Sequence, residues 1–232
     1  MTARRLVLFD IDGTLLLTAG AGRRAIREAV AELVGEADFD RVRFDGKTDP
    51  QIIVELLEMA GHDDPREPER LGRIARHYLG MLRQELARPT TVTTLMPGVT
   101  ALLDELERQV GVVLGLLTGN FAEGAELKLR AGGIDFGRFR VGAFGSDSPH
   151  RPELPPIAAR RAEPLFGRVP AGEEVVIIGD TPADVTCGRG IGARAVAVAT
   201  GAYSLAELEA HGPHALFGDL SDTARVLDAI LA

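Results

Sequence analysis

Asp10 and Asp12 stand two residues apart at the end of a short apolar run, Leu6-Val7-Leu8-Phe9-Asp10-Ile11-Asp12-Gly13-Thr14. Two carboxylates that close repel unless a proton or a cation separates them. A hard, oxygen-seeking cation such as Mg²⁺ resolves the repulsion. Gly13 then permits a tight turn out of the run. Taken alone, an ordinary acidic turn with Asp12-Gly13 at its corner accounts for the same residues. Two further runs end in a comparable way. Val112 to Leu117 closes on Thr118-Gly119-Asn120, where a hydroxyl and backbone N–H groups suit either an oxyanion or the cap of a following helix. Val175 to Ile178 closes on Gly179-Asp180-Thr181-Pro182-Ala183-Asp184, with two more carboxylates four residues apart. Asp180 there also fits a helix cap, and Pro182 fits a first helical turn. Four acids converging on one edge exceed what capping requires.

Elements must bring these ends together. The three runs read as buried parallel strands, Arg194 to Ala199 as a fourth, and Val141 to Phe144 and His214 to Phe217 as weaker ones. Helical spacing links Val99, Leu102, Leu103, Leu106 and Val110, and helices are expected over Glu123–Ala131, Pro156–Leu165 and Leu205–Ala210. Alternating strands and helices predict an α/β fold: a Rossmann-like, three-layer α/β/α core with a parallel sheet. Ligands of such sheets bind beyond the carboxyl ends of the strands, where the acids lie. From Ala21 to Arg88 the pattern is helical throughout. Ala25, Ile26, Ala29, Val30 and Leu33 form one apolar face. Ile52, Ile53, Leu56, Leu57 and Met59 form a second, and Leu71, Ile74, Ala75, Tyr78, Leu82 and Leu86 a third. Pro89 to Pro97, β-branched and bounded by prolines, reads as an extended return. The expected organisation is a catalytic core of residues 1–14 and 95–232 with a helical cap of residues 15–94.

Composition narrows the partners. A chain of 232 residues accommodates such a core and its insertion. The net charge of -8, 5% aromatic content and lack of Trp argue against nucleic acid as a partner. Cys187 is the single cysteine, so no disulfide forms within the chain, and a reduced cytoplasmic setting fits. The N-terminal apolar run meets acids almost at once, so neither a signal peptide nor a membrane span is expected. Lys47 and Lys128 are the only lysines, the other basic residues being arginine.

The set Asp10 to Thr14 (DIDGT), the strand end at Thr118, and Gly179 to Val185 (GDTPADV) resembles the haloacid dehalogenase superfamily, in particular its phosphoglycolate phosphatase-like branch with a helical cap. The order of these pieces spans the chain. The resemblance implies a Mg²⁺-dependent phosphatase acting on a small phosphate monoester, phosphoglycolate-like or a sugar phosphate. It makes Asp10 the nucleophile that becomes an aspartyl-phosphate and Asp12 the acid and base. Thr118, with Gly119 and Asn120, would hold phosphoryl oxygens. Asp10, Asp180 and Asp184, together with the backbone carbonyl of Asp12, would hold the metal.

The family's basic residue, usually a lysine before proline, has no lysine to match it here. Arg151, in His150-Arg151-Pro152-Glu153-Leu154, is the expected replacement, with Arg160 and Lys128 behind it. In the insertion, Phe44-Asp45-Gly46-Lys47-Thr48-Asp49-Pro50 reads either as a plain helix start, with Asp49 capping and Pro50 first in the helix, or as a loop that places Gly46 and Lys47 against substrate. Asp12 argues against a dehalogenase, which needs no acid at that position, and against a phosphonate hydrolase using Lys47. A phosphosugar mutase on the same core stays open. A non-catalytic regulator is disfavoured because every core acid is present. The chain is expected as a monomer or homodimer, with no membrane partner.

Overall fold

The computed structural model describes residues 5–35 and 39–232; residues 1–4, at the head of the expected core, lie outside them. The first strand, β1 (Arg5–Phe9), is buried along its whole length. It must be apolar on both faces, because helices cover both. Val7 and Phe9 pack with α4 (Val99–Arg108), α5 (Ala122–Ala131) and α9 (Thr223–Leu231). Leu6 and Leu8 point the other way, into a cluster with Leu154, Ala158 and Ala162 of α6 (Leu154–Phe166). Two helical layers and the sheet between them make the expected three-layer core.

The remaining core strands are β4 (Val112–Thr118), β5 (Val141–Phe144), β6 (Val175–Gly179), β7 (Arg194–Val198) and β8 (Ala215–Phe217). Their order is β5-β4-β1-β6-β7-β8, and every pairing is parallel. Each expected strand appears within a residue or two of its predicted bounds. The order matters for chemistry: β1 lies between β4 and β6, so the three punctuated strand ends are neighbours. Two helical expectations fail. Met59, expected on the second apolar face, is 40% exposed. Val110 does not continue the buried face of α4; the helix stops at Arg108 and Val110 is 78% exposed. Gln109 turns extended there, and the Arg5 N–H donates to the Gly111 carbonyl at 3.0 Å, drawing the chain into β4 early.

The helical segment holds α1 (Ala21–Val34), α2 (Asp49–Met59) and α3 (Pro68–Ala87). Their facing residues, among them Ile26, Val30, Ile53, Leu57, Ile74 and Leu82, form an apolar cluster separate from those of the sheet. Phe121 and Leu127, on the sheet side, pack against it. The segment leaves and returns through one short antiparallel ribbon, β2 (Leu16–Leu17) with β3 (Thr94–Leu95), pairing Leu16 with Leu95 and Leu17 with Thr94. Of the expected extended return, Thr94 and Leu95 pair as strand and the Met96 N–H donates to the Leu15 carbonyl at 3.0 Å. No helix among the described residues is long and apolar enough to cross a membrane.

Candidate active site

The site grows from the ends of β4, β1 and β6. The Asp10 N–H still donates to the Ile178 carbonyl at 2.9 Å, so Asp10 is held in the sheet ladder although it lies past the strand. The chain then turns at Gly13, whose φ is 86°, a conformation that favours glycine. A Cβ there would also run into the Asp180 carboxylate. Thr14 follows and donates its hydroxyl to Asp180 Oδ1 at 3.0 Å. After β6, Thr181 caps α7 (Pro182–Cys187) in a reciprocal capping box with Asp184. The Thr181 hydroxyl donates to Asp184 Oδ2 at 2.6 Å, which fixes that carboxylate. Asp180, which the sequence also allowed as the cap, is free for other work because Thr181 takes that role.

Asp10, Asp180 and Asp184 are all buried, with a carboxylate oxygen of each within 4.8 Å of the others. Into this group reaches Arg151, itself buried, from a single 3₁₀ turn ahead of α6. Its Nη2 lies 3.0 Å from Asp10 Oδ1 and also donates to Asp184 Oδ1. The structure therefore puts Arg151 against Asp10, the carboxylate it was expected to balance. Burial, reinforced by the charges of Asp184 and Asp12 and opposed by Arg151, raises the Asp10 carboxyl to about 6. Burial and its two acidic neighbours raise Asp180 well above the ordinary carboxylate range, against Thr14 and Arg151. Three carboxylates against one guanidinium leave a charge deficit. An all-oxygen, carboxylate-rich donor set of this kind fits a hard divalent cation.

Asp12 faces the other way. Its carboxylate does not belong to that trio, leaving only its backbone carbonyl for the part the resemblance gives it. Lys128, from the second turn of α5, donates to Asp12 Oδ1 at 2.8 Å and Oδ2 at 2.6 Å. Asn120 Nδ2 donates to Asp12 Oδ2 at 2.8 Å and to the Thr118 hydroxyl at 2.7 Å. The amide of Asn120 is thus turned onto neighbouring side chains.

The insertion closes over this edge. The Asp49 N–H donates to the Gly119 carbonyl at 2.7 Å, and the Thr48 hydroxyl to the Pro149 carbonyl at 2.9 Å. A Cβ on Gly119 would strike the Lys47 carbonyl, and one on Gly46 would press on Ala183. Both glycines are therefore places where insertion and sheet edge touch. The expected cap residue is corrected: Thr48, in extended geometry, accepts from the Gln51 N–H, and Asp49 is the first helical residue. The Asp49 carboxylate instead crosses to the core and accepts from the Phe121 N–H at 2.9 Å. Burial raises its carboxyl to about 6, opposed by Lys128 and by hydrogen bonds from Phe121 and Tyr78. Lys47 lines the cavity between insertion and core, and its ammonium is paired with Glu55. That cavity is about 220 Å³ and reaches Asp10, Asp12, Thr118 and Arg151. Cys187 is buried, its thiol pushed up to about 12 chiefly by burial, so it is inert packing.

Sequence reasoning weighed Lys128 only as a substitute for Arg151 and did not find the parts of Thr14 and Tyr78. Its one signal was the rarity of lysine in an arginine-rich chain.

A six-stranded parallel sheet with acids at the ends of two adjacent strands, a Thr-Gly-Asn end beside them and helices inserted after the first defines a class, and comparison with known proteins supplies its name. Residues 4–192 match the family described as haloacid dehalogenase-like hydrolase. The chain belongs to that family and is an enzyme of it. A protein of Cereibacter sphaeroides named phosphoglycolate phosphatase is 31% identical over 97% of this chain and 99% of its own. Among solved structures, a hydrolase from Pseudomonas syringae superposes with a TM-score of 0.74 at 23% identity, covering 99% of this chain and 100% of that one. CbbY from Rhodobacter sphaeroides, solved in complex with phosphate, gives 0.67 at 24% identity, with coverage of 94% and 96%.

Proposed function

We propose that this chain is a Mg²⁺-dependent phosphoric monoester hydrolase that cleaves a small organophosphate through an aspartyl-phosphate on Asp10. The observation that carries the reading is the buried trio Asp10, Asp180 and Asp184 around Arg151, with a cavity opening onto it. In this reading residues 1–14 and 95–232 are the catalytic core and residues 15–94 a cap that shields the reaction from water. The cavity of about 220 Å³ lies below the roughly 300–1,000 Å³ of ordinary small-molecule sites. It suits a two- or three-carbon phosphate such as phosphoglycolate, the substrate named for the Cereibacter relative.

Asp10 would attack phosphorus with one carboxylate oxygen while the ester P–O bond breaks. Asp12, exposed to the cavity, would give its proton to the departing alkoxide and later take one from the attacking water. Thr118, with the backbone of Gly119 and Asn120, would hold phosphoryl oxygens, and Arg151 would balance charge on Asp10 and the phosphoryl group. The Arg151 Nε, buried and without a partner, is a spare donor facing that task. Asp10, Asp180, Asp184 and the Asp12 carbonyl would hold Mg²⁺, which neutralises the repulsion between an anionic nucleophile and an anionic phosphate when bound. Gly46 and Lys47 would form the substrate-facing rim. The lone, buried thiol suits a cytoplasmic enzyme, acting as a monomer or homodimer.

Phosphate release from a panel of small esters, with and without Mg²⁺, tests the proposal in wild type and Asp10→Asn. Metal-dependent release falling by about 10⁴-fold or more in the variant is expected. Release that survives in Asp10→Asn would remove the nucleophile from this account. No release from any ester would shift weight to a mutase.

A further inference from the structure

Among the buried charges that the proposed chemistry leaves without a task, Lys128 is the one bonded to Asp12. Lys128 is only 4% exposed, lies outside every motif that defines the family resemblance, and spends all of its visible hydrogen bonds on the side chains beside Asp12. Burying an ammonium is costly unless it is paired and hydrogen-bonded. Here the cost is met by a closed set of contacts: both oxygens of Asp12, and Asn120 Oδ1 at 2.6 Å. The amide of Asn120 completes the ring by donating to Asp12 Oδ2 at 2.8 Å. The three side chains come from three places, the turn after β1, the end of β4, and α5. Lys128 and Asn120 are 8 residues apart, but both reach Asp12 across the chain, over 116 and 108 residues.

The Asp12 side chain itself is 41% exposed, and it lines the cavity. A carboxylate facing a cavity can rotate about two side-chain torsions, and a proton donor works only within hydrogen-bond reach of the atom it serves. Lys128 and Asn120 remove that freedom. The insertion contributes too: Gly22 of α1 lies over the ammonium, where a Cβ would stand 3.1 Å from Nζ.

Resting on the phosphatase reading above, we propose that Lys128 is a positioning residue, which with Asn120 fixes the orientation of the Asp12 carboxylate for both proton transfers. In the first, the Asp12 proton passes to the ester oxygen as the P–O bond breaks and the Asp10–phosphorus bond forms. In the second, a water proton passes to Asp12 as water oxygen bonds to phosphorus and the Asp10–phosphorus bond breaks. Lys128 takes no proton and acts on the phosphoryl group only through Asp12. It differs in this from Arg151, which contacts the nucleophile.

Leaving-group dependence separates positioning from mere structure. An alkoxide needs a proton to leave; a dinitrophenolate does not. For wild type and Lys128→Met, kcat and KM would be measured on phosphoglycolate and on 2,4-dinitrophenyl phosphate. The expected result is a fall of about 10-fold or more in the ratio of kcat on the alkyl ester to kcat on the aryl ester. Because the same carboxylate serves the second step, the aryl ester should also give a burst of about one dinitrophenolate per Lys128→Met enzyme. An equal loss on both esters without a burst would overturn the proposal. So would a shared rise in KM with kcat retained, which would make Lys128 a substrate contact. Should Lys128→Met fail to fold, Asn120→Ala carries the same test, since its amide donates to the same oxygen; an unmoved ratio there overturns the clamp. Wild type that releases phosphate from neither ester would instead defeat the phosphatase reading itself.

Discussion

On the β6 side of the site, three buried carboxylates share one guanidinium; on the β4 side, one cavity-facing carboxylate meets an ammonium and an amide. Asp10 and Asp12 belong to opposite sides although only Ile11 separates them. In a continuing strand residues two apart share a face, so the turn after β1, where the Ile11 carbonyl accepts from the Thr14, Leu15 and Leu16 N–H groups, sends the two acids to two environments. The β6 side is electrostatically incomplete. Arg151 cannot balance Asp10, Asp180 and Asp184 alone; burial first, and then the neighbouring acids, raise the carboxyls of Asp10 and Asp180. On the β4 side Lys128 pairs with Asp12 and Asn120 bonds to both, while the buried Asp49 stands near the same ammonium. In the proposed reading, the group that would bind metal and attack phosphorus sits where positive charge is short, and the group that would exchange protons sits against an ammonium.

Arg151→Gln breaks the β6 side most severely. It leaves three buried acids with no cation, and losing one partner of a buried pair costs about 3–5 kcal/mol. Phosphate release should fall by about 10²–10³-fold. The stability loss should depend on pH in metal-free protein. Asp10, at about 6, is raised above its ordinary value, so the strain of burying it appears as pH rises through that range and fades below it. Thermal unfolding at pH 8 and pH 5 checks this. A larger deficit at pH 8 is expected; equal deficits would mean the acids do not depend on the guanidinium.

How much of this was legible in the sequence divides along the same line. Asp10, Thr118, Asp180 and Asp184 were found because each ends or follows an apolar run, and strand punctuation is local. Arg151 was found through a gap in a familiar pattern. The partners of Asp12 were not, since nothing in a helix position of α5 announces a contact 116 residues away. Asp49 was misread as a cap for a related reason. Local statistics favour it, but Thr48 has the extended backbone and the hydroxyl, and the Phe121 N–H claims the Asp49 carboxylate. The helical insertion was plain from periodicity; its seat on the sheet edge, through Gly46 and Gly119, was not.

Asp49 gives a second break, now in the seam between insertion and core. Its carboxyl is raised from 3.8 to about 6, mainly by burial. A raised acid contributes its stability fully below the unfolded value and loses it as pH rises through the folded one. Asp49→Asn keeps an oxygen for the Phe121 N–H and removes the charge. The stability of wild type relative to the variant should therefore decline by up to about 3 kcal/mol between pH 4 and pH 8. Paired denaturant titrations across that window measure it. A constant difference would show that Asp49 is ionised in the folded protein throughout, with Lys128 close enough to hold it so.

The smallest effect should come from Gly22→Ala, and it sharpens the comparison because it touches one side only. Gly22 is the second residue of α1, so alanine there favours the helix by less than the about 1 kcal/mol of an interior position. The new Cβ would stand 3.1 Å from Lys128 Nζ and 3.3 Å from its Cε, tight enough to move the end of that flexible side chain. Stability should hold or rise slightly. Turnover of an alkyl phosphate should fall by roughly 3- to 10-fold, since displaced catalytic geometry is costly even over fractions of an ångström. Mg²⁺ affinity should stay at the wild-type value, because Asp10, Asp180 and Asp184 lie beyond the disturbance. Melting curves, alkyl-ester kinetics and a Mg²⁺ titration on one preparation read all three. A weakened metal site would show that the two sides are mechanically joined, and full activity in a stabilised protein would show that the ammonium has room to spare.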